Sequence, residues 1–219
     1  MYLKVLNVWY NHKVFNIFFI SKIDCLLFYS LLKYNEYVDF PNMIRIFDIF
    51  FSFLGLFFLS PILVIIFIIG WLYNRSPLFT QERVGQFQRT FILFKFRTMP
   101  INTLSVATHL AKNTKIHPFG SFLRKTKLDE MPQLYNVLIG NMSLVGPRPC
   151  LLNQKRLISE RNKRGIFKVK PGITGLAQVS GITMKNPKLL AITDLEMIRQ
   201  SSLFYYFYYI FKTIFLNIK

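Results

Sequence analysis

A run of 25 residues without a charged side chain, residues 49–73, constrains this chain more than any other feature. A transmembrane helix needs about 20 apolar residues to cross a hydrocarbon core of about 30 Å, so the run is long enough to enter a bilayer. Ser60 and Pro61 lie at its middle, where the proline removes a helical N–H group and kinks the helix. The Ser60 hydroxyl is then available to a carbonyl that the kink frees.

Two membrane arrangements fit this run. Each half, about 12 residues and about 18 Å in length, is too short to cross alone. Arg45 and Arg75 flank both ends, so the asymmetry of basic residues that orients a spanning helix is missing. A kinked spanning helix therefore remains open beside a re-entrant helical hairpin that enters and leaves by the cytoplasmic face.

The two ends of the chain are also rich in apolar residues. Residues 14–32 have Lys22 and Asp24 at their centre, where each charge costs roughly 2.5–3.5 kcal/mol in a membrane helix, so an interfacial or packed helix is expected. The function of residues 1–42 stays unassigned. The tail, residues 203–218, is strongly aromatic, and Lys212 can extend its amine from a shallow helix. It predicts an interfacial helix, with packing on the core as the alternative.

The net charge of +18 requires an anionic partner, which is a nucleic acid, an anionic membrane surface or a phosphorylated substrate. Residues 75–199 hold 21 basic residues and six acidic ones. The few cysteines and histidines form neither a disulfide framework nor a zinc site, which indicates a reducing compartment. They are Cys25, Cys150, His12, His109 and His117.

Residues 75–200 have the patterns of a soluble mixed α/β domain. Residues 90–98 predict a strand, and residues 155–163 predict an exposed basic helix. Residues 128–138 have apolar positions at helical spacing, with Asp129 as a plausible N-cap and Gly140 after the end. Residues 170–181 are dense in Gly and Pro and predict a loop followed by a short strand.

The adjacent acids Asp129 and Glu130 are the first candidates for chemistry. Arg124, Lys125 and Lys127 precede them, and neighbouring cations keep carboxylates ionised, which suits a nucleophile or a metal ligand. Mg²⁺ needs only one or two protein carboxylates, because phosphate and water complete its shell. The alternative is purely structural, since acidic residues in a first helical turn complement the helix dipole.

Three basic residues are the next candidates. Arg148 stands between two prolines, which stiffen its turn so that a guanidinium aimed at phosphate loses little entropy on binding. Lys95 and Arg97, two apart on the predicted strand, are expected on one face. An ordinary connector and a solvated sheet face are the alternatives for these positions.

Three sequence runs carry a family resemblance. They are KFRTM (95–99), GSFLRKTKLDEMPQLYNVLIGNMSLVGPRP (120–149) and KPGITGLAQVSG (170–181), and they follow the hydrophobic segment with its central Ser-Pro. Together they resemble the monotopic bacterial sugar transferases, the phosphoglycosyl transferases that load a polyprenyl phosphate carrier at the start of surface-glycan assembly. The resemblance runs from about residue 45 to the C-terminus.

The resemblance implies a reaction and a set of roles. Asp129 matches the nucleophile that attacks the β-phosphorus of a UDP-sugar, expels UMP and holds the phosphosugar until polyprenyl (undecaprenyl) phosphate takes it. Glu130 matches its partner acid, associated with Mg²⁺, so both carboxylates are the expected metal ligands. Ser60 and Pro61 match the hinge of a re-entrant hairpin. The implied substrate- or phosphate-binding residues are Lys95, Arg97, Arg124, Arg148 and Asp194.

The expected architecture is a helix-rich α/β monotopic membrane protein. It comprises an unassigned segment 1–42, a membrane hairpin 43–74, a catalytic domain 75–200 and an interfacial helix 201–219. The resemblance implies that the catalytic domain lies on the cytoplasmic face of the bacterial inner membrane. It further implies an N-acetylated or deoxy UDP-sugar as donor and the bilayer as partner. No nucleic-acid partner is expected, because the sequence holds no nucleic-acid-binding motif. The rival hypotheses are a membrane-anchored, non-enzymatic binder of nucleic acid or anionic lipid, and a glycosyltransferase that releases UDP.

Overall fold

The computed structural model describes the backbone of residues 22–100 and 117–216, and the chain divides into two compact units, residues 1–41 and 42–219. The expectations for residues 1–21, including His12, and for His109 lie outside the described residues. The predicted membrane segment and the predicted catalytic domain both belong to the second unit.

Helices outnumber strands among the described residues, which confirms the helix-rich mixed class. In chain order the elements are α1 (Lys22–Asn74), β1 (Leu78–Val84), β2 (Thr90–Phe96), α2 (Pro118–Thr126), α3 (Gln133–Leu138), β3 (Ser143–Val145), α4 (Lys155–Lys163), β4 (Gly172–Thr174), α5 (Leu176–Val179), α6 (Pro187–Arg199) and α7 (Leu203–Leu216). Single 3₁₀ turns occur at Gln86–Gln88, Leu128–Glu130 and Ile166–Lys168.

Two small sheets support the domain. Strands β1 and β2 form an antiparallel hairpin, which confirms the strand predicted at 90–98. Strands β3 and β4 pair in parallel, with Ser143 opposite Gly172 and Val145 opposite Thr174. In residues 170–181 the predicted short strand is present at Gly172–Thr174, where it pairs with β3, and it is followed by helix α5, which the sequence did not predict.

The helix predicted at 128–138 begins later than expected. Lys127 has a left-handed φ of 55°, so the chain turns sharply before the acids, and Asp129 lies inside a 3₁₀ turn without a side-chain capping bond. Helix α3 then begins at Gln133, after Pro132. Asp129 is thus not a helix N-cap. Gly140 follows the end of α3 with φ of 90°, as the sequence predicts.

Helix α1 lies against the domain along one narrow stripe. Ser52 and Ile66 are buried on that stripe, and Ile66 packs with Phe96 and Leu123. The opposite face is apolar and exposed. It includes Phe50, Phe53, Phe57, Phe58, Ile62, Ile65, Ile68, Trp71 and Leu72. Residues 42–73 are long and apolar enough to cross a membrane, and so large an exposed apolar surface indicates contact with lipid.

The serine beside the central proline behaves as the sequence predicts. Proline at position 61 cannot donate to the carbonyl four residues earlier, that of Phe57. The Ser60 hydroxyl donates to this carbonyl at 2.7 Å. Helix α1 continues through this point, so the re-entrant hairpin stays a prediction.

A buried acid joins α1 to the domain. Asp48, 1% exposed, accepts hydrogen bonds from the Ser143 hydroxyl at 3.1 Å, from the Leu144 N–H at 2.9 Å and from the Tyr206 hydroxyl at 2.9 Å. One turn earlier, Arg45 donates to two carbonyls at the end of α3. These contacts connect α1 with β3 and α7 at once.

Helix α7 has two different faces. Tyr206 and Tyr209 are buried in the domain. Other rings and aliphatic side chains are exposed, namely Phe204, Phe211, Ile214 and Phe215. The buried tyrosines therefore agree with packing on the core, and the exposed face leaves room for the predicted interfacial contact.

Candidate active site

The loop that carries Arg148 is tied to strand β4 by backbone contacts. Gly146 donates its N–H to the Thr174 carbonyl at 2.8 Å, and Gly172 donates to the Pro147 carbonyl at 2.9 Å. The two glycines are so close that a Cβ on Gly172 would lie 2.5 Å from the Gly146 Cα. The VGPRP and PGITG runs thus pack against each other and together hold the loop that carries Arg148.

Three further donors hold the carbonyls that follow in this loop. They are Arg161 Nη1 to the Arg148 carbonyl at 2.8 Å, Arg83 Nη1 to the Pro149 carbonyl at 3.1 Å and the Val84 N–H to the Cys150 carbonyl at 3.0 Å. Bonds to successive carbonyls restrict the backbone on both sides of the guanidinium. The stiffness that the prolines predict is therefore reinforced by tertiary contacts.

The acidic pair lies beside this loop, and its two carboxyl groups differ. Asp129 is 9% exposed. Burial, and to a smaller extent repulsion from Glu130, raises the pKa of Asp129 to about 6. Lys95 and Arg124 oppose this rise without cancelling it. The basic neighbours therefore do not lower the pKa of Asp129 below its ordinary value, but a carboxyl group with a pKa of about 6 is still about 90% ionised at pH 7.

Glu130 behaves in the opposite way. Burial acts to raise the pKa of Glu130, but the charge of Arg148 and its 2.6 Å hydrogen bond outweigh burial, so this pKa lies below its ordinary value. Two adjacent carboxyl groups with pKa values driven apart are typical of a catalytic pair in which each member has its own role. Glu130 thus forms an ion pair with Arg148 that favours its charged form.

Glu130 lines a cleft with about 340 Å³ of empty space that continues into solvent, and Asp129 precedes Glu130 in the chain without lining the cleft itself. Its lining residues are Arg83, Leu93, Lys95, Glu130, Gln133, Arg148, Pro149, Gly172 and Ile173. The structure thus brings together the predicted Lys95, Glu130 and Arg148. Sequence reasoning missed Arg83 and Gln133. The position of Arg83 follows from the register of the β1–β2 hairpin, which places it on the same face as Lys95 and which the sequence alone does not give.

Two other predicted residues lie near the cleft without lining it. Arg97 stands over the same Phe79 ring as Lys95, which confirms that the two share a face, but it donates to the Ser76 carbonyl at 3.0 Å. Arg124 donates to the Thr98 hydroxyl at 2.8 Å, and its charge acts on Asp129.

Asp194 occupies a different place from the one the resemblance implies. It is 1% exposed and accepts two hydrogen bonds from Arg161, at 3.0 and 2.8 Å. Since Arg161 also donates to the Arg148 carbonyl, Asp194 supports the loop through Arg161. It does not line the cleft.

The donor set agrees in kind with a magnesium ion. Within the described residues no group of three or more His, Cys, Asp or Glu side chains could hold a metal by itself. Asp129 and Glu130 offer carboxylate oxygens alone beside a cationic cleft, and Mg²⁺ binds through one or two carboxylates when phosphate oxygens supply other ligands. The residues present therefore fit this ion together with a phosphorylated substrate.

Known proteins resemble most of the chain. Residues 41–219 match the family model described as bacterial sugar transferase. A UDP-glucose:undecaprenyl-phosphate glucose-1-phosphate transferase of Xanthomonas campestris pv. campestris is 43% identical over 139 residues, 57% of this chain and 28% of the relative. A protein of the same description from Escherichia coli (strain K12) is 36% identical over 180 residues, 77% of this chain and 38% of the relative.

A third relative has a different sugar in its description. The UDP-galactose-lipid carrier transferase of Erwinia amylovora is 35% identical over 176 residues, 71% of this chain and 36% of the relative. The chain thus matches well under half the length of each of these three proteins. Because the family model covers all but the first 40 residues, the chain belongs to the bacterial sugar transferase family.

Proposed function

We propose that this protein transfers a sugar 1-phosphate from a UDP-sugar to undecaprenyl phosphate, releases UMP and so begins the assembly of a surface polysaccharide. The observation that carries the proposal is the buried carboxyl group of Asp129, on which the charges of Lys95 and Arg148 act, next to a cleft that Glu130, Lys95, Arg83 and Arg148 line. The descriptions of the relatives support this class of donor and acceptor.

In the first step the Asp129 carboxylate attacks the β-phosphorus of the donor. A bond forms between a carboxylate oxygen and phosphorus, and the bond from the β-phosphorus to the bridging oxygen breaks. UMP leaves with that oxygen and the bonding electron pair, so the step needs no proton transfer. The sugar 1-phosphate is then held as an acyl phosphate on Asp129.

In the second step an oxygen of undecaprenyl phosphate attacks the same phosphorus. The acyl oxygen–phosphorus bond breaks, the carboxylate is restored, and the product is a sugar linked to the lipid through a diphosphate. A covalent intermediate lets one site handle first a soluble donor and then a lipid acceptor.

The surrounding charges make the attack of one anion on another feasible. Lys95 and Arg148 line the cleft, and the charge of Arg124 also acts on Asp129. Preorganised cations stabilise charge that develops on phosphoryl oxygens. Asp129 and Glu130 would hold Mg²⁺, which as a Lewis acid would add positive charge at the phosphates.

The contacts of α1 support re-entry over crossing. Asp48 and Ile66 lie on opposite sides of the Ser60–Pro61 pair, yet both contact the same domain. A helix that crossed the bilayer would carry one half to the far side, away from the domain. We infer that both halves stay on the cytoplasmic side of the inner membrane and that the exposed face of α7 meets the same interface.

A labelling experiment checks this topology. We expect single cysteines at Asn42 and Arg75, introduced after removal of Cys25 and Cys150, to be protected from an impermeant maleimide in intact cells. Both should react in inverted membrane vesicles, because both flanks face the cytoplasm. Labelling of one position from outside and the other from inside would show a spanning helix.

The nucleotide product tests the proposed reaction. The resemblance implies an N-acetylated or deoxy sugar, whereas the relatives' descriptions contain glucose and galactose, so UDP-glucose, UDP-galactose and UDP-N-acetylglucosamine should be compared. We expect UMP from at least one donor, with sustained turnover only when undecaprenyl phosphate is present. Release of UDP would identify a glycosyltransferase instead, and no product with any donor would refute the proposal.

The ionisation of Lys95 gives a pH-dependent prediction. Burial, and to a smaller extent repulsion from Arg83, lowers the pKa of Lys95 to about 8. Above that pH Lys95 loses its charge, so we expect kcat/KM for the donor to fall as pH rises through about 8, since this ratio reports ionisations of the free enzyme. Lys95→Arg keeps the charge and should remove this alkaline limb in initial-rate measurements. An unchanged limb in that variant would assign it to another group.

A further inference from the structure

The cleft contains a cation to which neither sequence reasoning nor the reaction above gives a role. Arg83 lies near the end of β1, opposite Phe91, and Lys95 on β2 lies opposite Phe79. Directly opposed residues of an antiparallel pair share a face, as do alternate residues along a strand, so Arg83 and Lys95 project from the same face of the hairpin. Both line the cleft together with Arg148.

The guanidinium of Arg83 has more donors than acceptors around it. Nη1 donates to the Pro149 carbonyl at 3.1 Å and Nη2 to Gln81 Oε1 at 2.7 Å. The Nε atom is buried and has no hydrogen-bond partner among the described residues. A guanidinium offers five N–H groups, so these two bonds use only part of its capacity.

The charge around Arg83 is also unbalanced. Among the described residues Glu130 forms its ion pair with Arg148, and the ion pairs found there include neither Arg83 nor Lys95. Burial and the neighbouring Arg148 lower the pKa of Arg83 to about 10, as expected where cations are crowded without enough anions. A polyanionic ligand in the cleft would relieve this repulsion.

We propose that Arg83 is a substrate-binding residue whose guanidinium, with Lys95, binds the diphosphate of the nucleotide-sugar donor. This inference rests on the proposed function. Arg83 then has two tasks, since the same group supports the Pro149 carbonyl of the Arg148 loop. The two tasks predict different consequences for ligands with and without phosphate.

Ligand binding to the full chain in nanodiscs separates these tasks. With Mg²⁺ held constant, we expect Arg83→Gln to weaken binding of UDP and of inorganic pyrophosphate at least about 10-fold and to leave binding of uridine unchanged. Arg83→Lys keeps the charge and should recover part of the loss for pyrophosphate. Arg89→Gln is the matched control, because Arg89 lies in the same hairpin but is exposed; it should bind all three ligands like the wild type.

Two results would overturn the proposal. Unchanged affinity of Arg83→Gln for UDP and pyrophosphate would exclude a phosphate contact. An equal loss for uridine would show that Arg83 acts only by holding the loop. Neither measurement requires turnover, so a wild-type protein that binds UDP but releases no UMP would refute the proposed reaction while still deciding whether Arg83 binds the diphosphate.

Discussion

Asp129→Asn should abolish UMP release, with a loss of at least about 10³-fold, while the protein remains folded and membrane-bound. The amide keeps the size of the side chain but cannot form the acyl phosphate on which both proposed steps depend. Release of UMP from UDP-glucose or the best donor is the measurement. Glu82→Gln is a suitable control, because Glu82 is an exposed acid on β1.

The same substitution, Asp129→Asn, should leave the folded protein equally or more stable although it removes activity. The folded protein raises the pKa of Asp129 from 3.8 to about 6, so above pH 6 the buried charge opposes folding by about 3 kcal/mol. This opposition disappears as pH falls and the group becomes protonated. Asp129→Asn should therefore have an equal or higher Tm than the wild type at pH 8. Normal turnover in this variant, or a mass spectrum without a phosphosugar adduct during wild-type catalysis, would remove Asp129 from the nucleophile role.

Gly172→Ala should strongly destabilise the fold of the proposed catalytic domain. The new Cβ would lie 2.5 Å from the Gly146 Cα, and the three atoms nearest to it, in Gly146 and Val145, are all backbone atoms that cannot rotate away. Separation of the two segments would break the Gly172–Pro147 hydrogen bond and the β3–β4 pairing. We expect a loss of at least about 4 kcal/mol in the free energy of unfolding, which is among the largest effects of single substitutions.

Gly181→Ala provides the comparison. Nothing lies within 4 Å of a Cβ at this position, but its φ is 69°, so a cost of only about 1 kcal/mol from backbone strain is expected. Thermal unfolding in detergent, followed by circular dichroism, measures both. A Gly172→Ala protein as stable as Gly181→Ala would show that the two segments can separate without cost.

Local patterns predicted those features that depend on neighbours in sequence. The basic helix has the predicted bounds, Lys155–Lys163, because its polar face and flanking residues define it locally. The bond from Ser60 to the Phe57 carbonyl follows from the proline next to it. The adjacency of Asp129 and Glu130 likewise marked the site without any tertiary information.

Features that depend on distant contacts were not predicted. Arg83 reaches the cleft through the register of a hairpin, and no local pattern distinguishes it from other basic residues. Asp194 is buried against Arg161, 33 residues away, so its sequence position gave no sign that it supports the Arg148 loop through Arg161. The rise in the pKa of Asp129 depends on burial, which the basic neighbours in the sequence do not reveal.

The hydrogen bonds of Asp48 make the hydrophobic segment an integral part of the fold that carries the proposed active site. Three donors from β3 and α7 converge on this one carboxylate, and β3 leads directly into the loop of Arg148. A chain shortened to begin at residue 75 would leave those donors buried without an acceptor and would uncover the apolar surface on which Ile66 rests. Deleting the hydrophobic segment to obtain a soluble protein would therefore destabilise β3 and the Arg148 loop, which the soluble protein would need for activity.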